Sequence, residues 1–231
     1  MYFISSCLVL AIGFFAIGAD QVEAQTCIGS SSHTVSPLTE EKQVFTDWCT
    51  AAAVRVATTH YGITLSQCEL VGLTVGSTCC PLKDHTPGND PTCHPAGIWP
   101  HEILNKANFT YTSYVYGPAL PWNTIKTEIC SNRPIVSVAK AIIQGAPLHS
   151  VVVEGFHVDV DNLGELHKVR VFDPQEDVCD LLCTTEADQN PRFILEEAFK
   201  NQFEHDRDYI NIIGPRGDTA APAAPLGLTV K

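Results

Sequence analysis

The residues best suited to covalent chemistry lie around Cys49, in the sequence Gln-Val-Phe-Thr-Asp-Trp-Cys-Thr-Ala-Ala-Ala that begins at Gln43. Cys49 precedes Ala51–Ala53, small residues that favour a helix, and follows Thr46 and Asp47, residue types that cap helix N-termini. The pattern predicts that Cys49 lies in the first turn of a buried helix. Unpaired N–H groups and the positive end of the helix dipole favour a thiolate there, so the position suits a nucleophile. The alternative is that Cys49 packs in the core or forms half of a disulfide.

The number of cysteines leaves room for one free thiol. The chain has ten, and loss of an N-terminal leader with Cys7 leaves nine: Cys27, Cys49, Cys68, Cys79, Cys80, Cys93, Cys130, Cys179 and Cys183. Cysteines tend to pair in an oxidising compartment, and an odd number leaves at least one over. If Cys49 is the free thiol, the other eight can form up to four disulfides. An intermolecular bridge or several reduced cysteines would fit the same count.

A nucleophilic cysteine needs a base within hydrogen-bond reach and a third group that orients the base. His149 comes directly before the strand-like run Ser-Val-Val-Val-Glu-Gly-Phe. A residue at the start of a strand can face a cleft while the strand behind it is anchored in the core. His157, further along the same run, is the rival candidate. We favour His149 as the base because of its place at the strand start.

Asp173 is the candidate for the third group. It follows the run Val-Arg-Val-Phe and precedes Pro174, which ends the strand because proline cannot continue a ladder. If this strand pairs with that of His149 through a hairpin at 162–165, their far ends lie side by side. A bulge or break near Gly155 must absorb the unequal lengths of the two arms. The carboxylate could then fix the imidazole tautomer, although an aspartate before a proline is also a common turn residue.

Gln43 lies six residues before Cys49. Acyl transfer to a thiolate develops a negative oxygen that needs fixed hydrogen-bond donors. The side-chain amide of Gln43 and the backbone N–H of Cys49 could supply two of them.

Hydrophobic patterns indicate the elements that must position these residues. Helices are predicted over 49–60, 65–71, 100–107, 122–130 and 193–201, and strands over 134–143, 150–160, 167–172 and 208–213. Helices followed by antiparallel strands predict an α+β domain, with a helical half packed on a twisted sheet. Residues 76–97, rich in Gly and Pro, are predicted to form a loop fastened by Cys79, Cys80 and Cys93.

The two ends of the chain differ from its middle. Residues 1–24 contain the apolar run Cys7–Ile17, which is too short to span a bilayer and predicts a secretory signal peptide. We expect residues 25–41 to form an extended lead-in, 42–213 the folded domain, and 214–231 a flexible tail rich in Pro, Ala and Gly. The protein is therefore expected to be secreted and extracellular.

Composition narrows the range of partners. The chain is 45% hydrophobic and 17% charged, as globular proteins are. Its net charge of −12, with no Lys/Arg cluster, disfavours nucleic acid or an anionic membrane as the partner. Neither Cys79-Cys80 nor the Cys179 and Cys183 pair has the spacing of a zinc ribbon, so no metal or cofactor is predicted. We expect a monomer. A sequon for N-glycosylation begins at Asn108.

The motifs together resemble the papain-like cysteine peptidases. The most similar branch has Asp as the third group and includes the avirulence-protein peptidases of plant-pathogenic bacteria and the bacteriocin-processing peptidase domains. The avirulence type carries Trp-Cys-Trp-Ala-Ala and Ser-Gln-Cys-Glu-Leu. This chain has Trp-Cys-Thr-Ala-Ala at 48–52 and Ser-Gln-Cys-Glu-Leu at 66–70.

The resemblance covers residues 43–174 and implies a papain-like fold, a peptide or protein substrate and four roles. Cys49 would be the nucleophile and His149 the base and later the acid. Asp173 would orient His149, and Gln43 would stabilise the oxyanion. The chain departs from the family by having Thr50 where an aromatic residue usually follows the nucleophile.

Three functions fit these observations. We favour a secreted cysteine peptidase that acts through a thioester acyl-enzyme. Another cysteine-dependent acyl-transfer enzyme, such as a peptidoglycan amidase or a transglutaminase-like enzyme, would use the same residues. A catalytically inactive secreted binding protein is the third, supported by Thr50 and by Arg-Gly-Asp at 216–218. The presence of all four candidate site residues counts against it.

Overall fold

The computed structural model describes residues 27–45, 47–76, 79, 91–94, 97–115, 119–141, 148–175, 192–201 and 203–214. The predicted signal peptide, Cys80, Cys179, Cys183 and the predicted tail beyond Gly214 lie outside the described residues. No helix within the described part of the chain is both long enough and apolar enough to cross a bilayer.

Five helices and seven strands are present in the described residues. The helices are α1 (Cys49–Thr59), α2 (Gln67–Val75), α3 (Pro100–Lys106), α4 (Trp122–Cys130) and α5 (Glu196–Asn201), with a short 3-10 helix at Pro91–Cys93. The strands are β1 (Ser32–Thr34), β2 (Thr110–Val115), β3 (Ile135–Ala141), β4 (His149–Asp161), β5 (Gly164–Phe172), β6 (Arg192–Leu195) and β7 (Phe203–Ile213).

The described strands form one antiparallel sheet in the order β2-β7-β3-β4-β5-β6. The long strand β4 lies in the middle: it pairs with β3 over its first half and with β5 over its second half. Beyond the start of β3, the lead-in strand β1 takes the place beside β4, with Thr34 opposite Gly155. The sheet therefore ties the N-terminal lead-in to the same strand that begins with His149.

Apolar side chains cover both faces of this sheet. Helices α1, α2 and α3 pack on one face, where Val136, Val152 and Tyr209 point toward them. Helix α4 packs on the other face with Ile125 and Ile129, against residues that alternate with the first set along each strand. Alternation is the expected pattern for strands whose two faces meet different layers. The α+β architecture of helices on an antiparallel sheet is confirmed.

Most predicted elements match the structure, with two corrections. The helix predicted over 193–201 begins only at Glu196, because Phe193–Leu195 pair as strand β6 with Lys168–Arg170 of β5. Strand β2, Thr110–Val115, was not predicted. Its pairing with β7 in the sheet, and not a hydrophobic run of its own, makes it a strand.

All five described cysteines outside α1 form disulfides. Cys27 of the lead-in is bonded to Cys130 at the end of α4, and Cys79 is bonded to Cys93 across the predicted loop. Cys68 on α2 is also disulfide-bonded. The first bond fixes the lead-in to α4, and the second joins Cys79 to the 3-10 helix at Pro91–Cys93.

Candidate active site

Cys49 is the first residue of α1, as the sequence predicts, and its side chain is half-buried. It is free, whereas the other cysteines among the described residues are disulfide-bonded. Small buried residues follow it, which lets α1 lie close to the sheet. The expectation that Thr46 or Asp47 is the N-cap is wrong: Trp48 occupies that position, and its side chain makes no capping hydrogen bond.

Trp48 fixes the start of α1. The indole is 1% exposed, and its Nε1–H donates to the carbonyl of Cys93 at 2.9 Å. The rings of Phe45 and His94 pack against it. The large buried side chain next to Cys49 thus sets where the thiol is held.

His149 is the first residue of β4 and is 5% exposed. Its Nε2 lies 2.6 Å from Oδ1 of Asp173, the residue that follows β5. The same Oδ1 also accepts a hydrogen bond from the backbone N–H of Gln175 at 2.8 Å. With Nε2 bonded to the carboxylate, Nδ1 is the ring atom left for the thiol of Cys49, to which His149 is hydrogen-bonded.

A bulge in β4 shortens the offset between His149 and Asp173 along the hairpin by one residue. Val153 pairs with Val171, but Gly155 pairs with Arg170, so Glu154 is one residue in excess on β4. A bulge of this kind puts two residues of one strand opposite one of its partner. The sequence predicts a break at this position.

The site favours the charged form of the Cys49–His149 pair. Burial opposes ionisation of Cys49, but the hydrogen bond and positive charge of His149, the backbone N–H of Ser150 and the hydroxyl of Thr50 outweigh it and lower the thiol pKa. Burial likewise opposes the imidazolium, but Asp173 and Cys49 raise the pKa of His149 to about 10. Each partner favours the ionised state of the other, so the site shifts the pair toward a thiolate beside an imidazolium.

Gln43 lies in the segment before α1. Its backbone N–H donates to the carbonyl of Pro174, directly after Asp173, at 2.8 Å. Its side-chain Oε1 is buried and accepts no hydrogen bond within the described part of the chain. An amide whose oxygen has no internal partner is unusual in a folded protein. The structure therefore brings the segment of Gln43 to the end of the sheet that holds Asp173.

A model of the Peptidase_C39 like family matches residues 32–191 of the chain. The chain belongs to this family and is a cysteine peptidase. The match spans most of the sequence and includes all four candidate site residues.

No curated protein matches the peptidase. Several solved structures are similar to it, among them the following two. The peptidase domain of Streptococcus ComA, a bifunctional ABC transporter involved in a quorum-sensing pathway, is 15% identical with a TM-score of 0.41, covering 75% of this chain and 96% of that one. SERA5E from Plasmodium falciparum is 13% identical with a TM-score of 0.47, covering 79% of this chain and 93% of that one.

The rival histidine of the peptidase lies elsewhere. His157 is eight residues further along β4, its side chain is 37% exposed, and its Nε2 lies 2.7 Å from Oδ1 of Asp159. At about 3.3 Å per residue, this places it roughly 25 Å from the start of the strand. His157 is therefore too far from Cys49 to act as its base.

Two hydroxyl groups lie near the thiol, and the sequence assigned no role there to Thr50 and did not point to Ser150. The hydroxyls of Thr50 and Ser150 are buried and lie 2.8 Å apart. Thr50 follows Cys49 and Ser150 follows His149, so adjacency in sequence was the available signal. In this peptidase Thr50 supplies a hydroxyl to the thiol of Cys49.

The described residues contain no group of three or more His, Cys, Asp and Glu side chains arranged to hold a metal ion.

Proposed function

We propose that the peptidase cleaves peptide bonds through a thioester acyl-enzyme, with Cys49 as nucleophile, His149 as acid and base, Asp173 as the group that orients His149, and Gln43 as an oxyanion donor. The single observation that carries the proposal is the free thiol of Cys49 beside an imidazole whose far nitrogen is bonded to Asp173 at 2.6 Å.

The acylation step begins with the Cys49 thiolate, which attacks the carbonyl carbon of the scissile bond and forms a C–S bond. The carbonyl electrons move to oxygen, and the amide of Gln43 with the N–H of Cys49 stabilises that charge. The imidazolium of His149 gives its proton to the leaving nitrogen as the C–N bond breaks. A thioester on Cys49, a free amine and a neutral His149 remain.

Deacylation reverses the roles of His149. The neutral imidazole takes a proton from water, whose oxygen attacks the thioester carbon. The C–S bond then breaks, releasing a carboxylic acid and restoring the thiolate beside the imidazolium. Asp173 holds one tautomer and one ring orientation throughout, which keeps the same nitrogen directed at the reacting atoms.

We propose further that the peptidase is secreted and acts on extracellular proteins or peptides as a monomer. The two described disulfides, Cys27–Cys130 and Cys79–Cys93, support this because such bonds persist in oxidising compartments.

The decisive experiment compares two histidine variants on the same strand. His149→Ala should abolish turnover of a fluorogenic peptide library, whereas His157→Ala, which removes a histidine that is also paired with an aspartate, should retain it. Cys49→Ala should lose turnover and modification by E-64 without loss of the folded circular dichroism spectrum. Equal activity of the two histidine variants would refute the assignment. Release of muropeptide fragments without peptide cleavage would replace the peptidase substrate with peptidoglycan.

A further inference from the structure

The side chain of Gln67 makes hydrogen bonds to the backbone on both sides of Gln43. Gln67 is the first residue of α2 and is 1% exposed. Its Oε1 accepts from the N–H of Val44 at 3.0 Å, and its Nε2 donates to the carbonyl of Lys42 at 2.7 Å. A single buried amide thus spans the residue proposed to bind the oxyanion.

These partners fix the orientation of the Gln67 amide. A backbone N–H can only donate and a backbone carbonyl can only accept, so Val44 and Lys42 determine which end of the amide is oxygen and which is nitrogen. Nε2 also lies 3.1 Å from Oε1 of Glu41. If Gln67 were replaced by an apolar residue, the N–H of Val44 and the carbonyl of Lys42 would each lose this hydrogen-bond partner.

The segment that carries Gln43 depends on such polar contacts. Val44 is 51% exposed, so burial of its side chain contributes little to the position of the segment. Glu41 forms an ion pair with Arg55 of α1, and Arg55 also donates to the carbonyl of Leu65. The segment is therefore held by hydrogen bonds to α1, to α2 and, through the N–H of Gln43, to the residue after Asp173.

Helix α2 is itself a rigid support. Ser66 caps its N-terminus in a reciprocal pair with Glu69, and Cys68 is disulfide-bonded. Gln67 lies between the cap and the disulfide, so its side chain projects from a fixed backbone.

We propose that Gln67 is a positioning residue that holds the amide of Gln43 where the oxyanion forms. The inference rests on the proposed function and deepens it. Oxyanion donors act only if they are fixed before the charge develops. A shift of about 1 Å in a catalytic group can cost about a hundredfold in rate. An exposed segment released at Lys42 and Val44 would allow a shift of that size.

The test compares reactions that form an oxyanion with one that does not. Gln67→Met, which keeps the side-chain length without hydrogen bonds, should lower kcat/KM for a peptide substrate by about ten- to a hundredfold, mainly through kcat. Binding of the peptide aldehyde leupeptin, which forms a tetrahedral adduct, should weaken by a similar factor. Alkylation of Cys49 by iodoacetamide, which forms no oxyanion, should keep its rate.

A double-mutant cycle with Gln43→Ala shows whether the effect passes through Gln43. In the Gln43→Ala background, Gln67→Met should cost almost nothing further in kcat/KM. Ser66→Ala is the matched control, because it weakens the same helix by removing its cap and leaves the three bonds of Gln67 intact. It should lower the melting temperature without changing leupeptin binding.

Gln67→Glu is the second variant to measure if Gln67→Met fails to fold. It keeps the acceptor for the N–H of Val44 and loses the donor to the carbonyl of Lys42. It also places a carboxylate oxygen against Oε1 of Glu41 and the carbonyl of Lys42, so it should lower kcat at least as much as Gln67→Met does. Three results would overturn the inference alone. The Gln67 variants could keep full kcat/KM, their loss of kcat/KM could persist unchanged in the Gln43→Ala background, or their rate of alkylation by iodoacetamide could fall as much as kcat/KM. A wild-type protein that neither cleaves peptides nor binds leupeptin would overturn the proposed function and the inference with it.

Discussion

His149 and Asp173 share a hydrogen bond of 2.6 Å between side chains that are each 5% exposed. The two residues lie 24 positions apart in sequence and meet at the open end of the β4–β5 hairpin, away from its turn. A charged pair at this depth is maintained because each group satisfies the other, and removing one leaves the second uncompensated.

Replacement of Asp173 should therefore change both the rate and its pH dependence. In the proposed mechanism, activity requires the Cys49 thiolate and the His149 imidazolium, so it should fall on the alkaline side as His149 loses its proton. Asp173 raises the pKa of His149, so Asp173→Asn should move the alkaline limb of the kcat/KM profile to lower pH. Asp173→Ala should also lower kcat by about a hundredfold or more. Asp159→Asn, which removes the partner of His157, is the control and should leave the profile unchanged.

Thr50→Val should make Cys49 a weaker acid. The Thr50 hydroxyl is one of the groups that lower the thiol pKa, so its loss should shift the rise of the iodoacetamide alkylation rate to higher pH. Thr58→Val removes another buried hydroxyl from α1, one that bonds to the carbonyl of Arg55. If Thr58→Val shifts the pH dependence of the alkylation rate by the same amount, the effect comes from a change in the helix and not from the hydrogen bond to the thiol.

Gly155→Ala should destabilise the lead-in strand at the bulge. A Cβ at this position would lie 2.8 Å from the carbonyl oxygen of His33 and 3.2 Å from Cβ of Arg170. Because the nearest atom belongs to the backbone, β1 must move. We expect the free energy of unfolding, measured in urea, to fall by about 1–3 kcal/mol. Faster hydrogen exchange of the Val35 N–H, which donates to the carbonyl of Glu154, would locate the change.

Gly62→Ala is the comparison for this glycine. Gly62 has a φ of 74° and no atom within 4 Å of an added Cβ, so alanine there is strained without touching β1. Exchange at Val35 should stay slow in that variant. If both variants speed this exchange equally, the contact with His33 is not the cause.

Loss of the Cys79–Cys93 bond should affect both stability and the thiol. When both cysteines are replaced by serine, the greater entropy of the unfolded chain should lower the free energy of unfolding by about 3 kcal/mol for a closed loop of this size. The carbonyl of Cys93 also holds the indole of Trp48, next to Cys49. The alkylation rate of Cys49 should therefore change, which a stopped thiol-labelling assay measures.

Removal of the Cys27–Cys130 bond is the matched control. It closes a longer stretch, with a sequence separation of 103, and joins the lead-in to α4 on the other face of the sheet. Its loss should lower stability at least as much without changing alkylation of Cys49. If the alkylation rate of Cys49 changes equally in the two double-serine variants, global stability, and not Trp48, controls the reactivity of the thiol.

Glu154→Gln should remove a pH dependence of stability between about pH 4.5 and 7. Glu154 is 1% exposed, and its Oε1 lies 2.9 Å from Nε of Arg170. This is an ion pair and not a hydrogen bond, and neither carboxylate oxygen of Glu154 has a hydrogen-bond partner among the described residues. Burial raises its pKa to about 7 from 4.5, Arg170 opposes the shift, and Glu40 adds to it.

The sign follows from proton binding. A carboxyl with a folded pKa above its unfolded value contributes stability below pH 4.5, and this contribution is lost as the pH rises through 7. The variant should gain stability relative to the wild type over that interval in urea titrations. A constant difference between them at every pH would show that folding does not shift the pKa of Glu154.

The sequence alone predicted the features that depend on local patterns. Cys49 before a run of alanines marks a helix start, and Val-rich alternation around His149 and before Asp173 marks strands. The unequal arms of their hairpin required a bulge near Gly155. These predictions succeed because helix and strand periodicity, and the effect of proline on a ladder, act over a few neighbouring residues.

The tertiary structure alone decided what distant residues do together. Thr110–Val115 becomes a strand only through its pairing with β7, and Phe193–Leu195 leaves the predicted helix because β5 offers an edge. The hydrogen bonds of Gln67 to the residues on either side of Gln43 join positions more than twenty residues apart. No local pattern encodes such contacts, because the free energy of a backbone pair or a buried amide depends on which partners the completed fold brings to it.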